Sequence, residues 1–106
     1  MHSASNKKLL DYLQRPRAIV TLLHLLESTK QGLDYTLTQI GGSKRTGMSR
    51  INELVEMGLA SKQTELAWHR RRIYVLSEDG QKIAVRLREL LNYWTEFEKR
   101  RRSREV

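Results

Sequence analysis

Three basic segments without acidic residues are the clearest candidates for chemistry in this sequence. Residues 43–52, 67–76 and 99–104 contain no Asp or Glu, and the last of them holds five Lys or Arg residues. Clustered guanidinium and ammonium groups bind polyanions, because they offer both charge and hydrogen bonds to phosphate oxygens. Since such clusters can also be ordinary solvated surface, the elements that carry them decide between the two interpretations.

The overall charge favours a polyanionic partner. The 106 residues include 20 Lys and Arg against 12 Asp and Glu, which gives a formal net charge of +8. The chain has the length of one domain, and a small domain this basic is typical of nucleic-acid-binding proteins. We therefore predict double-stranded DNA as the partner, if the basic segments lie on elements that can reach it.

Other classes of function find little support in the sequence. There is no cysteine, and His2, His24 and His69 are scattered without carboxylates at metal-ligand or catalytic spacing. We expect no enzyme activity, no metal and no cofactor. A small-molecule effector is not indicated, although a pocket at a dimer interface stays open. No apolar run approaches the roughly 20 residues of a membrane span, and we expect a cytoplasmic, nucleoid-associated protein.

The spacing of apolar residues predicts an ordered series of helices. Pro16 suits the first turn of a helix, and Gly41-Gly42 and Gly58 are typical helix ends. Ser77 is a good N-cap for the last helix. The predicted helices cover residues 6–15, 16–29, a short segment around Leu37 and Ile40, residues 44–57, and residues 78–101.

Two short strands are predicted between the fourth and last helices. Residues 59–65 and 71–76 have strand character, and the second includes the β-forming run RIYVL. Helix, helix, short helix, helix, hairpin and long helix is the order of a winged helix-turn-helix. The predicted fold class is mostly α with a small β-hairpin (α+β), with a long C-terminal dimerisation helix.

Two sequence stretches resemble a known family. SRINELVEMGLA resembles the end of the recognition helix and the start of the wing in winged-helix transcription regulators. RRRIYVLSEDGQKI resembles the return strand and the Leu-Thr-x-x-Gly turn of MarR-type regulators, with Ser77 in place of Thr. The resemblance covers about residues 17–91. We expect an N-terminal helix at the dimer interface over 1–15, a DNA-binding domain over 16–77, and a dimerisation helix with a basic tail over 78–106.

The predicted recognition helix has a polar outer face. With Ile51 at the centre of the buried face and about 100° per residue, Gly47, Met48, Leu54 and Val55 point inward. Its outer face, its flanks and its N-terminal end supply seven predicted DNA contacts, which are Ser43, Lys44, Arg45, Thr46, Ser49, Arg50 and Asn52.

Arg45 and Arg50 suit bidentate contacts to guanine and Asn52 suits adenine, while Ser43 and Lys44 suit phosphate. The alternatives are that these residues are solvated surface, or that the helix begins nearer Ser49.

The hairpin tip supplies a second set of predicted DNA contacts, His69, Arg70, Arg71 and Arg72. Arginine is attracted by the negative potential of a narrow minor groove. Strand alternation predicts that Arg70 and Arg72 point one way and Arg71 the other. Trp68 is expected to pack beneath the tip.

The last helix carries a coiled-coil-like apolar series, since Ile83, Leu87, Leu90, Trp94 and Phe97 follow steps of 4, 3, 4 and 3. This predicts a homodimer. The alternative is a single-chain helix hairpin between residues 6–15 and 83–97. The predicted interface consists of Leu9, Leu10, Leu13, Leu87, Leu91, Trp94 and Phe97.

These features together predict a homodimeric, sequence-specific transcriptional regulator that binds double-stranded DNA. One alternative is a DNA-architectural protein with little sequence preference, and another is a winged helix that serves as a protein–protein interaction module. The tail KRRRSR is compatible with a phosphate-contacting arm, a disordered end or a targeting signal.

Overall fold

Helices form most of the molecule in a computed structural model, which describes residues 3–27, 32–64 and 72–105. The order predicted from the sequence is confirmed. The elements are α1 (Ser3–Leu13), α2 (Ala18–Glu27), α3 (Leu33–Ile40), α4 (Lys44–Glu56), β1 (Ala60–Thr64), β2 (Arg72–Leu76) and α5 (Glu78–Glu105).

The core is built around α2, which packs against α3, α4, β2 and α5. Leu22 of α2 is fully buried with Ile40 at the end of α3 and with Ile51 and Leu54 of α4. Burying each such side chain contributes roughly 1.5–3 kcal/mol. Ala84 adds a small buried contact from α5, so the first turns of α5 belong to this core.

The inner face of α4 is confirmed except at its edge. Gly47 is buried, and a Cβ atom there would lie 2.7 Å from Cδ2 of Leu37. The absence of a side chain therefore lets α3 and α4 approach closely, as the sequence predicts. Val55 was predicted to face inward, but it is 36% exposed. That prediction was wrong because the packed face is narrower than the apolar stripe and is centred on Ile51 and Leu54.

A glycine turn leads from α4 into the hairpin. Gly58 has a φ of +78°, a conformation that a side chain disfavours. Its N–H donates to the carbonyl of Val55 (3.0 Å), and the N–H of Leu59 donates to the carbonyl of Leu54 (2.8 Å). This is the Schellman pattern, which confirms Gly58 as the end of the helix.

The hairpin pairs β1 and β2 antiparallel, from Ala60 opposite Leu76 to Thr64 opposite Arg72. Ile73 and Leu76 of β2 are both buried, although they lie on opposite faces of the strand. Gly32, just before α3, forms a β-bridge with Ile73. The hairpin is therefore attached to the helices on both of its long sides, by α4 through β1 and by the start of α3 through β2.

Ser77 joins the hairpin to α5. Its hydroxyl accepts from the N–H of Gly80 (3.1 Å) and donates to the carbonyl of Gly58 (2.9 Å). It caps α5 as predicted. A Cβ atom on Gly80 would lie 2.1 Å from the carbonyl oxygen of Leu59. The glycine of this turn is therefore required by close contact with the start of the hairpin.

Several helix limits differ from those expected. The short helix α3 begins at Leu33, four residues before Leu37, the first of the two apolar residues from which it was predicted. Helix α2 begins at Ala18, so Pro16 lies in the turn before it. Helix α5 continues to Glu105, and the basic residues 99–104 are helical, so the alternative of a disordered end is wrong. No helix in the described ranges is long and apolar enough to cross a membrane.

Candidate nucleic-acid interface

The first turn of α4 is fixed by two hydroxyl side chains. Ser43 is the N-cap, with extended backbone (φ −80°, ψ 148°), and its Oγ accepts from the backbone N–H of Thr46 at 3.1 Å. The hydroxyl of Ser43 also lies 2.9 Å from that of Thr46. Helix α4 therefore begins at Lys44, and the alternative start near Ser49 is wrong.

Two unpaired cations project from this first turn. Lys44 and Arg45 are exposed, and neither forms an ion pair with any carboxylate in the part of the chain that the structure describes. The amino end of a helix carries a partial positive charge, so nothing in its own backbone neutralises them. Their positive charge is available to an external anion.

The other predicted contacts on α4 divide into two groups. Ser43 and Asn52 are exposed, and Thr46 and Ser49 are half-buried along the same outer side. Arg50 is not brought to this surface. Its side chain is only 12% exposed, and its Nε lies 3.0 Å from Oε1 of Glu53. The flank position assigned to Arg50 from helical geometry is therefore occupied by an intramolecular ion pair.

The ion pair of Arg50 belongs to a contact between α1 and α4 that the sequence did not reveal. Glu53 also pairs with Arg15, which follows α1. The buried Tyr12 hydroxyl donates to the carbonyl oxygen of Arg50 at 3.2 Å. The sequence signal was Tyr12 itself, an aromatic residue on the apolar side of a helix that we had assigned to the dimer interface alone.

The pKa of the Tyr12 phenol lies above its usual range. Burial is the main cause, because it disfavours the charged phenolate, and the nearby carboxylate of Glu53 acts in the same direction while Arg50 opposes it. Beside this phenol lies a cavity of about 210 Å³ between α1 and the end of α4. It is lined by Lys8, Asp11, Tyr12, Arg15, Glu53, Glu56 and Met57.

The wing can be located only in part. Arg72 is the first residue of β2 and is exposed. His69, Arg70 and Arg71 lie outside the described residues, as does Trp68. The predicted alternation of the three arginines and the packing of Trp68 are therefore not tested.

The predicted dimer residues fall into two environments. Leu13 and Leu87 pack against the core of their own chain, and Leu9 is half-buried. The others are exposed, with Leu10 at 55%, Leu91 at 47%, Trp94 at 56% and Phe97 at 39%. The rings of Trp94 and Phe97 contact each other at 5.5 Å between centroids.

The exposed apolar part of α5 is not covered by α1. The main packing contacts of α1 within its chain are with α2, and Leu90 and Trp94 remain 64% and 56% exposed. The alternative of a single-chain hairpin between residues 6–15 and 83–97 is therefore wrong. We use the name α5 surface for the exposed residues Leu90, Leu91, Tyr93, Trp94 and Phe97.

Within the described ranges, no group of three or more His, Cys, Asp or Glu side chains is placed to hold a metal ion. The arrangement can instead bind an extended anion, since its free charges lie on a helix end and on a hairpin.

Solved structures decide the fold. A possible HxlR-family transcriptional factor from Thermoplasma volcanium superposes with a TM-score of 0.69 at 23% identity, covering 86% of this chain and 82% of that one. The transcriptional repressor BigR from Xylella fastidiosa gives a TM-score of 0.71 at 18% identity, over 88% and 89% of the two chains. The chain has the winged-helix fold.

A third winged helix in the comparison was solved as a complex with DNA. MepR of S. aureus gives a TM-score of 0.67 at 16% identity, and the match covers 95% of this chain and 83% of MepR. The resemblance to MarR-type regulators is confirmed at the level of the fold by a MarR transcriptional regulator from Methanosarcina mazei, which gives a TM-score of 0.68 at 21% identity over 86% of this chain and 66% of that one. No family model matches the sequence. No curated protein matches it either.

The winged-helix framework assigns positions to the elements. Helices α3 and α4, joined by Gly41-Gly42, form the helix-turn-helix, and α4 takes the position that the recognition helix has in this fold. Strands β1 and β2 form the wing, and α5 is the long C-terminal helix. Lys44, Arg45 and Arg72 therefore lie on the two elements that a winged helix presents to one side.

Proposed function

We propose that this protein is a homodimeric, sequence-specific transcriptional regulator that binds double-stranded DNA. The observation that carries the proposal is the pair of exposed, unpaired cations Lys44 and Arg45 at the N-terminal end of the recognition helix. In helix-turn-helix proteins this end commonly contacts base edges in the major groove. The net charge of +8 supports the same partner, because an excess of cations attracts DNA.

The recognition helix divides its contacts by chemistry. Arg45 makes a bidentate contact to guanine, and Asn52 reads adenine. Ser43 and Lys44 contact phosphate, while Thr46 and Ser49 add short hydroxyl contacts. Arg50 pairs with Glu53 within the recognition helix and reads no base, because a base contact would leave that half-buried carboxylate with one cation fewer.

The wing supplies contacts at the minor groove or the backbone. His69, Arg70, Arg71 and Arg72 are the residues we assign to it. Exposure of Arg72 supports this role, and the run of three arginines matches the preference of narrow minor grooves for guanidinium groups.

Two copies of the chain pair through the α5 surface, and the exposed Leu10 of α1 adds to this interface. Leu91, Trp94 and Phe97 are large apolar side chains that face solvent, and a contiguous patch of this kind marks an interaction site. A symmetric dimer presents two recognition helices and favours a pseudo-palindromic site.

Binding measured against salt tests the proposed function. An unbiased selection from random duplexes supplies the specific site, and the wild-type protein is titrated with that site and with a random duplex. We expect affinities that differ by at least roughly a thousandfold, and both should fall as salt rises. Equal affinity for the two duplexes would support the architectural alternative instead. Absence of salt-dependent binding would support the protein–protein interaction module.

The wing is tested by Arg71→Ala combined with Arg72→Ala. We expect weaker binding and a shallower dependence of log affinity on log salt, because fewer counterions are released from the DNA. Lys82→Ala with Arg86→Ala is the matched control, since it removes two positive charges from the exposed side of α5. An unchanged affinity and slope in the wing variant would show that the wing does not touch DNA.

A further inference from the structure

Arg17 has a backbone conformation that is rare for a residue with a side chain. Its φ is +67°, and it is the one described non-glycine residue with positive φ. The conformation is held in place by Thr21 of α2. The backbone N–H and the hydroxyl of Thr21 donate to the carbonyl oxygen of Arg17 at 3.0 and 2.6 Å. Since Thr21 is fully buried, Arg17 is anchored to the core.

The side chain of Arg17 lies across the turn of the helix-turn-helix. A Cβ atom at Gly41 would be 2.3 Å from Nη2 of Arg17, and one at Gly42 would be 3.6 Å from its Nε. Gly41 therefore leaves the space that the guanidinium occupies, and Gly42 lies within van der Waals range of the same side chain. Because Gly42 directly precedes the N-cap Ser43, this guanidinium lies beside the N-terminal end of the recognition helix.

The guanidinium of Arg17 has no acceptor within the ranges that the structure describes. Arg17 is exposed, and no carboxylate or carbonyl there binds its side chain. It adds a third unpaired cation to Lys44 and Arg45. Three such charges at the positive end of a helix repel one another in the free protein, and an anion between them would relieve that repulsion.

We propose that Arg17 binds a DNA backbone phosphate at the N-terminal end of the recognition helix. This inference rests on the proposed function and adds a contact from the turn before α2, which is separate from the recognition helix and the wing. A guanidinium offers two parallel N–H donors to phosphate. The anchored backbone and the glycine turn restrict the position of the side chain, so less conformational freedom is lost when the phosphate binds.

The strained backbone provides the decisive variant. Glycine adopts a φ of +67° without steric cost, so Arg17→Gly removes the cation and relieves the strain. We expect a melting temperature equal to or above that of the wild type. Affinity for the selected site should fall at least about tenfold, the size expected for a lost charged hydrogen bond. The salt slope should fall by about one per recognition helix, or about two per dimer.

Arg17→Gln and Arg86→Ala complete the experiment. Arg17→Gln keeps a long polar side chain in the same backbone conformation, and we expect it to lose affinity and salt slope as Arg17→Gly does. Arg86→Ala removes one exposed positive charge from α5 and should leave both nearly unchanged.

Wild-type binding by Arg17→Gln would overturn the proposal, and so would an unchanged salt slope in both Arg17 variants. A wild-type protein that does not bind DNA at all would overturn the proposed function itself, so the two failures are distinguishable.

Discussion

Tyr12 connects the N-terminal helix to the recognition helix through one hydrogen bond. Its hydroxyl donates to the carbonyl oxygen of Arg50, and the ring is only 3% exposed. The same carbonyl region is flanked by Glu53, which pairs with both Arg15 and Arg50. The orientation of the recognition helix therefore depends on residues that lie outside the helix-turn-helix itself.

Tyr12→Phe should lower the free energy of unfolding by about 1 kcal/mol at neutral pH, the typical net value of one hydrogen bond. It should also change the alkaline behaviour. In the unfolded chain the pKa of Tyr12 is about 10, whereas burial raises the pKa of the phenol in the folded protein. The stabilisation is therefore complete below about pH 10 and is lost as the pH rises further.

Urea unfolding between neutral and strongly alkaline pH measures this effect. The wild type should lose stability above pH 10 more steeply than Tyr12→Phe. Tyr93→Phe is the matched control, because Tyr93 is 64% exposed, and it should follow the wild type. If the free energy of unfolding fell equally with pH in the wild type and in Tyr12→Phe, the raised pKa of the Tyr12 phenol would be contradicted.

A side chain added at Gly80 would approach backbone, whereas one added at Gly47 would approach another side chain. At Gly80 an added Cβ meets the backbone carbonyl of Leu59 at 2.1 Å, whereas at Gly47 it meets the movable end of Leu37 at 2.7 Å. We expect Gly80→Ala to cost about 3 kcal/mol, since the hairpin must shift. Gly47→Ala should cost less, because Leu37 can rotate and Ala gains about 1 kcal/mol of helix propensity. Thermal unfolding of both variants checks the order, and equal losses would contradict it.

Two neighbouring residues of the recognition helix are expected to differ in function: Arg45 contributes to sequence specificity, and Lys44 contributes to affinity for any duplex. Arg45→Ala should cost about 1–3 kcal/mol of binding to the selected site and relax the preference at one base pair. Lys44→Ala should weaken binding to all duplexes by a similar factor and lower the salt slope by about one per recognition helix.

Titrations with the selected site, single-base variants of it and a random duplex provide the measurement. Arg86→Ala again controls for the loss of one charge. If Arg45→Ala weakens binding to all the duplexes equally, Arg45 contacts phosphate and its assignment to a base is wrong.

Ionic contacts within the chain explain why the basic residues of α4 differ in exposure and pairing. Arg50 has Glu53 three residues later, whereas Lys44 and Arg45 have no acidic residue within the first turn of α4. Helical spacing places Arg50 near the outer flank, but its side chain pairs with Glu53, which also pairs with Arg15 after α1. The position of acidic residues within α4, and not its apolar periodicity, therefore determines which of these cations are free.

At the scale of the molecule, α5 extends well beyond the core. Its 28 residues span about 42 Å, and its packing on the core ends near Leu87. The remaining turns carry the α5 surface, whose apolar side chains face solvent. A second copy is the partner we propose, since symmetric pairing brings identical surfaces together.

Leu91→Glu combined with Trp94→Glu should convert the dimer into a folded monomer. Both residues are exposed, so the domain loses little of its own packing, while charge in an apolar interface is strongly unfavourable. Sedimentation at micromolar concentration measures the state, and the far-ultraviolet circular dichroism checks the fold. Asn92→Glu is the matched control. A wild type that sediments as a monomer would contradict the proposed interface.

Local patterns in the sequence determined the elements of this protein. Apolar spacing located the helices, the Ser77 cap and Gly58 marked two of their ends, and the run RIYVL identified the second strand. These features were predictable because caps, turns and helical faces depend on residues within a few positions of one another. The acid-free segments likewise identified the cations of the recognition helix.

Only the tertiary structure decided which side chains meet across elements. Tyr12 and Arg50 are 38 positions apart, Arg17 lies against Gly41, and Val55 falls just outside the packed face. Periodicity states which side of a helix is apolar, but it does not state which neighbour lies opposite a residue at the boundary. That depends on how the helices cross. The hydrogen bond from Tyr12 to Arg50 and the position of Arg17 against Gly41 follow from this packing.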